Sequence, residues 1–182
     1  NAKIKAIIQE SGETVKLLHT SDWHLGMGAQ ERSYEDDQRF FIDAICRVIE
    51  EGGVDALLLC GDVFDRSVPA AEAMRLYDYA VTEICDRLST PMFVIAGNHD
   101  NAARLAACRS LLKKAGLTVA GELTREPERA VLGDAELFLL PWFTTEKARA
   151  VSPEAAGEIR TLFTHLKSTF DRYILLSAAD VY

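Results

Sequence analysis

Basic residues are in short supply. The 182 residues hold 20 lysines and arginines against 28 aspartates and glutamates, a formal net charge of −8. That balance argues against a generally sticky nucleic-acid binder, which shows a basic face. It leaves a nuclease open, because bound divalent cations invert the local field of a carboxylate-rich site. Cysteine is sparse as well. Cys46, Cys60, Cys85 and Cys108 are widely spaced with no C-x-x-C pair, which argues against disulfides and against a zinc-thiolate site. Buried free thiols and a reducing cytoplasm are the expectation. No apolar run approaches the roughly 20 residues that cross a bilayer, so no membrane association is expected. The first residues lack the basic, apolar and small-residue regions of a signal peptide. Internal repeats, low-complexity tracts and an interdomain linker are also lacking.

What is present is an ordinary globular composition, 48% apolar and 26% charged, with length for one sizeable core. Residues 1–14 read as a lead-in with an edge-strand pattern at Lys3–Ile8. Apolar runs at about 15–20, 55–60, 91–96 and 117–120 read as buried strands. Between them lie helical periodicities. Phe41, Ala44, Ile45, Val48 and Ile49 mark one face, stopped by Gly52-Gly53. Ser67-Val68-Pro69 opens a second helix with Ala73, Tyr77, Ala80, Val81, Ile84 and Leu88 inward. Leu105, Cys108, Leu111 and Leu112 mark a third, ended by Gly116. A hairpin is expected around Gly133-Asp134, then a helix from Ser152 with Ile159, Leu162, Phe163, Leu166 and Phe170 inward. A last strand spans Tyr173–Leu176. The alternation predicts an α/β fold of βαβ units, with a parallel sheet covered by helices.

Three of the strands run straight into metal-ligand chemistry. The first ends in Ser21-Asp22-Trp23-His24-Leu25-Gly26, the second in Gly61-Asp62, the third in Gly97-Asn98-His99-Asp100. In a parallel sheet these ends share the carboxyl edge, where such sheets bind ligands. Each piece alone has a plain reading as a turn or a helix cap. Jointly they suit a pair of divalent metals about 3.5–4 Å apart that clamps the oxygens of a phosphoryl transfer. Asp22 and His24 suit the first ion, Asp62 a bridge, and Asn98 a neutral oxygen on the second. His99 is placed to protonate the leaving oxygen. Oxygen and imidazole donors suit Mn, Fe or Zn.

These motifs resemble the first three motifs of the calcineurin-like metallophosphoesterases. The flanks, Leu18 to Gly26 and Gly61-Asp62-Val63-Phe64-Asp65-Arg66, resemble its SbcD-type exonuclease subunits of bacterial double-strand-break repair. The resemblance runs from about Val15 to at least Trp142. It implies a metallophosphoesterase domain over 15–182, manganese-dependent cleavage of phosphodiesters at DNA ends, a homodimer of nuclease subunits, and a partner SbcC-like ATPase with long coiled coils. The family completes its site with a later histidine and a Gly-His-x-His segment. Tyr173-Ile174-Leu175-Leu176-Ser177 resembles the strand before that histidine, but Ala178 follows, so the domain is expected to be incomplete at its C-terminal end. Rival readings are another phosphatase or phosphodiesterase on this scaffold, or a non-catalytic subunit that binds DNA ends.

Other residues carry two readings each. His19 either supports the metals from behind or is a satisfied core imidazole. Trp23 either shapes the site mouth or packs. Arg66 and Arg104 either hold DNA phosphates or are solvated. Asp65 and Asp100 read as loop and cap groups, His165 as an exposed helix residue, and Glu35-Asp36-Asp37 as a favourable acidic first turn.

Overall fold

A computed structural model of the chain describes residues 5–8, 15–29, 32–133, 135–151 and 174–177. The main sheet has the order β1-β2-β5-β6-β7. Strands β2 (Lys16–Thr20), β5 (Ala56–Cys60), β6 (Met92–Ile95) and β7 (Leu117–Ala120) run parallel, and β1 (Lys5–Ile8) adds an antiparallel edge. Helix α1 (Glu35–Gly52) joins β2 to β5, and α2 (Ala71–Val81) joins β5 to β6. Strands β8 (Glu128–Leu132) and β9 (Ala135–Leu140) form the expected hairpin. It pairs with β10 (Ile174–Ser177) in a separate sheet rather than extending the first. A two-strand ribbon, β3 (Gly28–Ala29) with β4 (Arg32–Ser33), precedes α1.

The strands are apolar throughout because both faces of the main sheet are covered, as parallel sheets require. Alternate side chains feed two cores. Leu18, Leu57, Leu59, Met92, Val94, Leu117 and Val119 face Ile42, Ile45, Ile49, Leu76, Ala80 and Ile84 of the helical layer. Leu17, Ala56, Leu58, Cys60, Phe93, Ile95 and Ala120 face Leu137 and Leu139 of β9. The layers are therefore helices, main sheet and second sheet, with the loops that follow β2, β5 and β6 gathered at one edge.

Helix α1 starts with Glu35, Asp36 and Asp37, which favour the positive end of its dipole. It stops at Gly53, whose left-handed φ of 58° lets its N–H reach the Ile49 carbonyl. Its buried stripe is Gln38, Ile42, Ile45, Cys46 and Ile49, and Val48 is exposed, so the helix is rotated from the expected face. Helix α2 begins after Pro69 rather than at Ser67, buries Leu76 in addition to the expected alanines, and continues through a π-helical turn at Thr82–Arg87. The predicted third helix is broken into α3 (Ala102–Leu105) and α4 (Arg109–Leu112), because Cys108 adopts a left-handed φ of 58°. Leu105 is buried, but Cys108 and Leu111 are exposed. A short α5 (Thr145–Val151), which no apolar periodicity marks, follows β9. The helix expected from Ser152, His165 and Tyr173 lie outside the described residues.

Among the described residues no helix is long and apolar enough to cross a membrane. All four cysteines are free. Burial pushes the Cys60 thiol up to about 12 and the Cys85 thiol up to about 11, which keeps both protonated and inert near neutral pH.

Leu58 is fully enclosed between the two sheets. Leu58→Ala is expected to lower the unfolding free energy by about 2–5 kcal/mol, read from denaturant unfolding. A loss under about 1 kcal/mol would mean that the second sheet does not seal this face.

Candidate metal centre

The loops after β2 and β5 run side by side as an extension of the parallel pairing. Asp22 N–H donates to the Gly61 carbonyl (3.1 Å), His24 N–H to the Asp62 carbonyl (3.0 Å) and Leu25 N–H to the Val63 carbonyl (2.9 Å). Asp65 N–H returns to the Leu25 carbonyl at 3.1 Å. The backbone is unusual where the candidate ligands sit. Of the five described non-glycine residues with positive φ, three are Asp22 (58°), His24 (45°) and Asp62 (51°). Such conformations cost free energy, persist only where surroundings over-determine them, and cluster at functional sites. Here they turn three polar side chains inward at one strand edge.

Ligand atoms from Asp22, His24 and Asp62 all lie within 4.8 Å of one another. His24 Nε2 is 3.9 Å from Asp22 Oδ1 and 3.9 Å from Asp62 Oδ2. These gaps are too long for hydrogen bonds. They match neighbouring ligands on one ion, since bonds of about 2.0–2.2 Å place ligand atoms roughly 3–4 Å apart. His24 Nδ1 is buried without a hydrogen-bond partner, and Asp65 Oδ1 lies 3.9 Å from it. The donor set is hard oxygen plus imidazole, and two clustered carboxylates call for a cation. The residues present therefore fit a divalent metal.

The β6 loop closes the site from the other side. His99 N–H donates to Asp62 Oδ1 (3.1 Å). Gly97 packs so tightly that a Cβ there would lie 2.1 Å from Asp62 Oδ1 and 2.2 Å from Asp62 N. Asn98, exposed, sits between these two residues. The His99 ring stands edge-on to the His24 ring with centroids 5.0 Å apart. His99 Nδ1 is 3.0 Å from the Asp65 carbonyl, which only accepts, so Nδ1 carries the hydrogen. That carbonyl raises the His99 pKa above its ordinary value. The carboxylates of Asp62, Asp65 and Asp100 add to the rise, and desolvation opposes it.

Asp100 laces two loops together. Its carboxylate accepts from Gly97 N (2.8 Å), Phe64 N (2.9 Å) and Val63 N (3.1 Å). Burial raises its pKa, against the pull of those three N–H groups. It is neither a cap nor a ligand: Asn101 caps α3, accepting from Arg104 N at 2.9 Å. Asp65 likewise does more than turn a loop, since its carbonyl holds His99 and its carboxylate faces His24.

The other predicted residues fall further out. Trp23 packs: it is buried, bonded to Thr20 through Nε1 (3.0 Å) and edge-on to Phe41. Arg66 is 83% exposed and pairs with Asp65 at 3.5 Å, leaving its guanidinium open to solvent. Arg104 is exposed on α3. His19 lies within β2, paired in register with Leu58 of β5 rather than in the loop with Asp22 and His24. Gln38, which no sequence motif marks, accepts from Gly26 N (3.0 Å) and donates to the His24 carbonyl (2.8 Å).

This edge of loops, with two aspartates and a histidine closing on one point, defines a metal-dependent phosphoesterase site. The chain belongs to the calcineurin-like phosphoesterase family, whose sequence model matches residues 15–180. A Bacillus subtilis (strain 168) protein, named as the SbcD component of nuclease SbcCD, is 37% identical over 167 residues, 92% of this chain and 40% of that protein. Proteins of the same name from Rhodobacter capsulatus and Escherichia coli K12 are 38% and 33% identical over 115 and 114 residues. These alignments cover 62% and 63% of this chain, and 28% of each relative. The chain thus spans less than half the length of the relatives it matches.

Gly97→Ala is expected to push Asp62 out of place, since its Cβ meets backbone as well as carboxylate. Divalent-metal affinity, by calorimetry, should fall together with thermal stability; wild-type values for both would contradict the packing. His99 supplies a second check. In metal-free protein its imidazolium is favoured, so any stability it contributes is complete below the unfolded-state pKa and lost as pH rises through the higher folded value. An NMR titration should place its midpoint above about 6.5, and a bound divalent cation should lower it.

Proposed function

We propose that this chain is the N-terminal part of a metal-dependent DNA nuclease, the nuclease subunit of an SbcCD-like complex, which hydrolyses phosphodiester bonds at DNA ends. The observation that carries the reading is the convergence of Asp22, His24 and Asp62 at the strand edge of a calcineurin-like phosphoesterase. The relatives' name supplies the substrate and the complex. In this reading residues 15–182 are part of the nuclease domain, and residues 1–14 lead into it. The setting is cytoplasmic, and the partners are DNA ends, an SbcC-like ATPase with coiled coils, and a second nuclease subunit.

Asp22 and His24 would hold one divalent ion, Asp62 would serve both, and Asn98 would hold the second. Mn is the ion of choice, with Fe or Zn compatible with the donors. When bound, two cations supply positive charge to the phosphate and to the oxygens exchanged at phosphorus. The chain's own residues do the rest. Ser21 Oγ, 2.5 Å from Asp22 Oδ2, and the His99 amide, on Asp62 Oδ1, hold the carboxylates in place. His99, with Nδ1 tied to the Asp65 carbonyl, keeps Nε2 to deliver a proton to the leaving oxygen. Arg66 and Arg104 are exposed near the motif ends and would contact DNA phosphates.

Two substitutions in the complete protein test this. Asp62→Asn should abolish paired Mn binding and DNA hydrolysis while the fold survives. His99→Ala should keep Mn binding and lose roughly 10²–10⁴ in rate. Mn stoichiometry by calorimetry and digestion of an end-labelled duplex read both. Normal turnover by Asp62→Asn would refute the assignment, and loss of metal in His99→Ala would make that histidine a ligand. A wild-type protein that binds DNA ends yet never cleaves them would be a scaffold subunit instead.

A further inference from the structure

We propose that Gln38 is a positioning residue of the metal centre: its buried amide clamps the backbone on both sides of the His24–Gly26 turn and so aims the His24 imidazole at Asp22 and Asp62. The inference rests on the metal-site reading given above.

Gln38 sits in the first turn of α1, only 9% exposed, in a stripe otherwise made of Ile42, Ile45, Cys46 and Ile49. A polar side chain in that position costs free energy unless its hydrogen bonds are made. Both ends of the amide are used, and on one target. Oε1 accepts from Gly26 N at 3.0 Å, and Nε2 donates to the His24 carbonyl at 2.8 Å. The target is a four-residue turn closed by Met27 N–H donating to the same carbonyl at 3.0 Å. Gly26 occupies its third position with φ 85°, where glycine is favoured. A Cβ at Gly26 would also lie 2.8 Å from the Ala73 Cβ, so α2 confines the turn from the other side.

The clamp matters because His24 is held against its own preference. Its φ of 45° is the left-handed conformation that an L-residue adopts only under constraint. The His24 N–H bond to Asp62 fixes the residue from one side, and Gln38 fixes its carbonyl from the other. The Nδ1 atom has no hydrogen-bond partner that would orient the ring from behind. Ring direction is therefore set by backbone, and the Gln38 amide is the side chain that sets the backbone. Without it the turn keeps the Met27 bond but loses the anchor to α1, and His24 gains access to ordinary conformations that turn Nε2 away from the carboxylates.

Three variants of the complete protein test this: Gln38→Met, of similar length without hydrogen-bonding atoms; Gln38→Glu, which keeps the acceptor for Gly26 N; and Ile45→Val, a change in the same stripe that does not touch the turn. Mn affinity by calorimetry, Gly26 amide exchange by NMR and melting temperature are read on each. Gln38→Met should weaken Mn binding roughly 10–100-fold, as loss of a ligand's supporting hydrogen bonds does elsewhere, and should speed Gly26 exchange. Gln38→Glu should fall between it and wild type, and Ile45→Val should bind Mn as wild type does. Wild-type Mn affinity in Gln38→Met would overturn the inference. So would an affinity loss of equal size in Ile45→Val, or a loss in Gln38→Met without faster Gly26 exchange. A wild-type protein that binds no divalent metal would overturn the metal-site reading itself, and the inference with it.

Discussion

The pairing of β2 with β5 does not end where the strands end. Three further backbone hydrogen bonds carry the two chains forward as far as Leu25 and Val63, and on that continuation Asp22, His24 and Asp62 take left-handed backbone conformations. A regular strand points successive side chains to opposite faces. Breaking that alternation is what lets Asp22 and His24, two residues apart, meet Asp62 at one point. The strain is supported by the buried sheet below, where Leu57, Leu58 and Leu59 are fully enclosed. Loops of this kind would relax if the core beneath them did not fix their entry and exit.

Around this continuation the chain places groups whose task is geometry rather than chemistry. Gly97 leaves the space that Asp62 occupies. Asp100 ties the third loop to the second with three backbone bonds. Gln38 ties the first loop to α1. Asp65 uses its carbonyl for His99 and turns its carboxylate to His24. Each of the three loops is thereby bonded to another loop or to a helix, which is how a site holds several like charges in place before any cation arrives.

Much of this was legible in the amino-acid order, for identifiable reasons. Asp22-x-His24, Gly61-Asp62 and Gly97-Asn98-His99-Asp100 follow uninterrupted apolar strands, and a parallel sheet has one edge at which those ends can gather. The supporting residues were not legible. Asp100 reads as a helix cap because its partners, Val63 and Phe64, are distant in sequence. Gln38 reads as surface because apolar periodicity counts it as polar. Leaving it out placed the inner face of α1 on Phe41, Ala44 and Val48, whereas the buried stripe passes through Gln38, Ile42 and Cys46. The break in the third helix was hidden for a related reason: Cys108 fits an apolar pattern, but its left-handed backbone turns Leu111 outward. Periodicity reports which residues are apolar. It does not report which polar ones are bonded inward.

The central claim is that Asp22, His24 and Asp62 form one metal-binding point. Crystals of the protein grown with Mn and measured at the manganese absorption edge would test it most directly. The account predicts an anomalous peak in contact with Asp22, His24 Nε2 and Asp62, with His24 still in its left-handed conformation. Fully loaded crystals with no peak at this position, or with manganese bound only elsewhere, would contradict it.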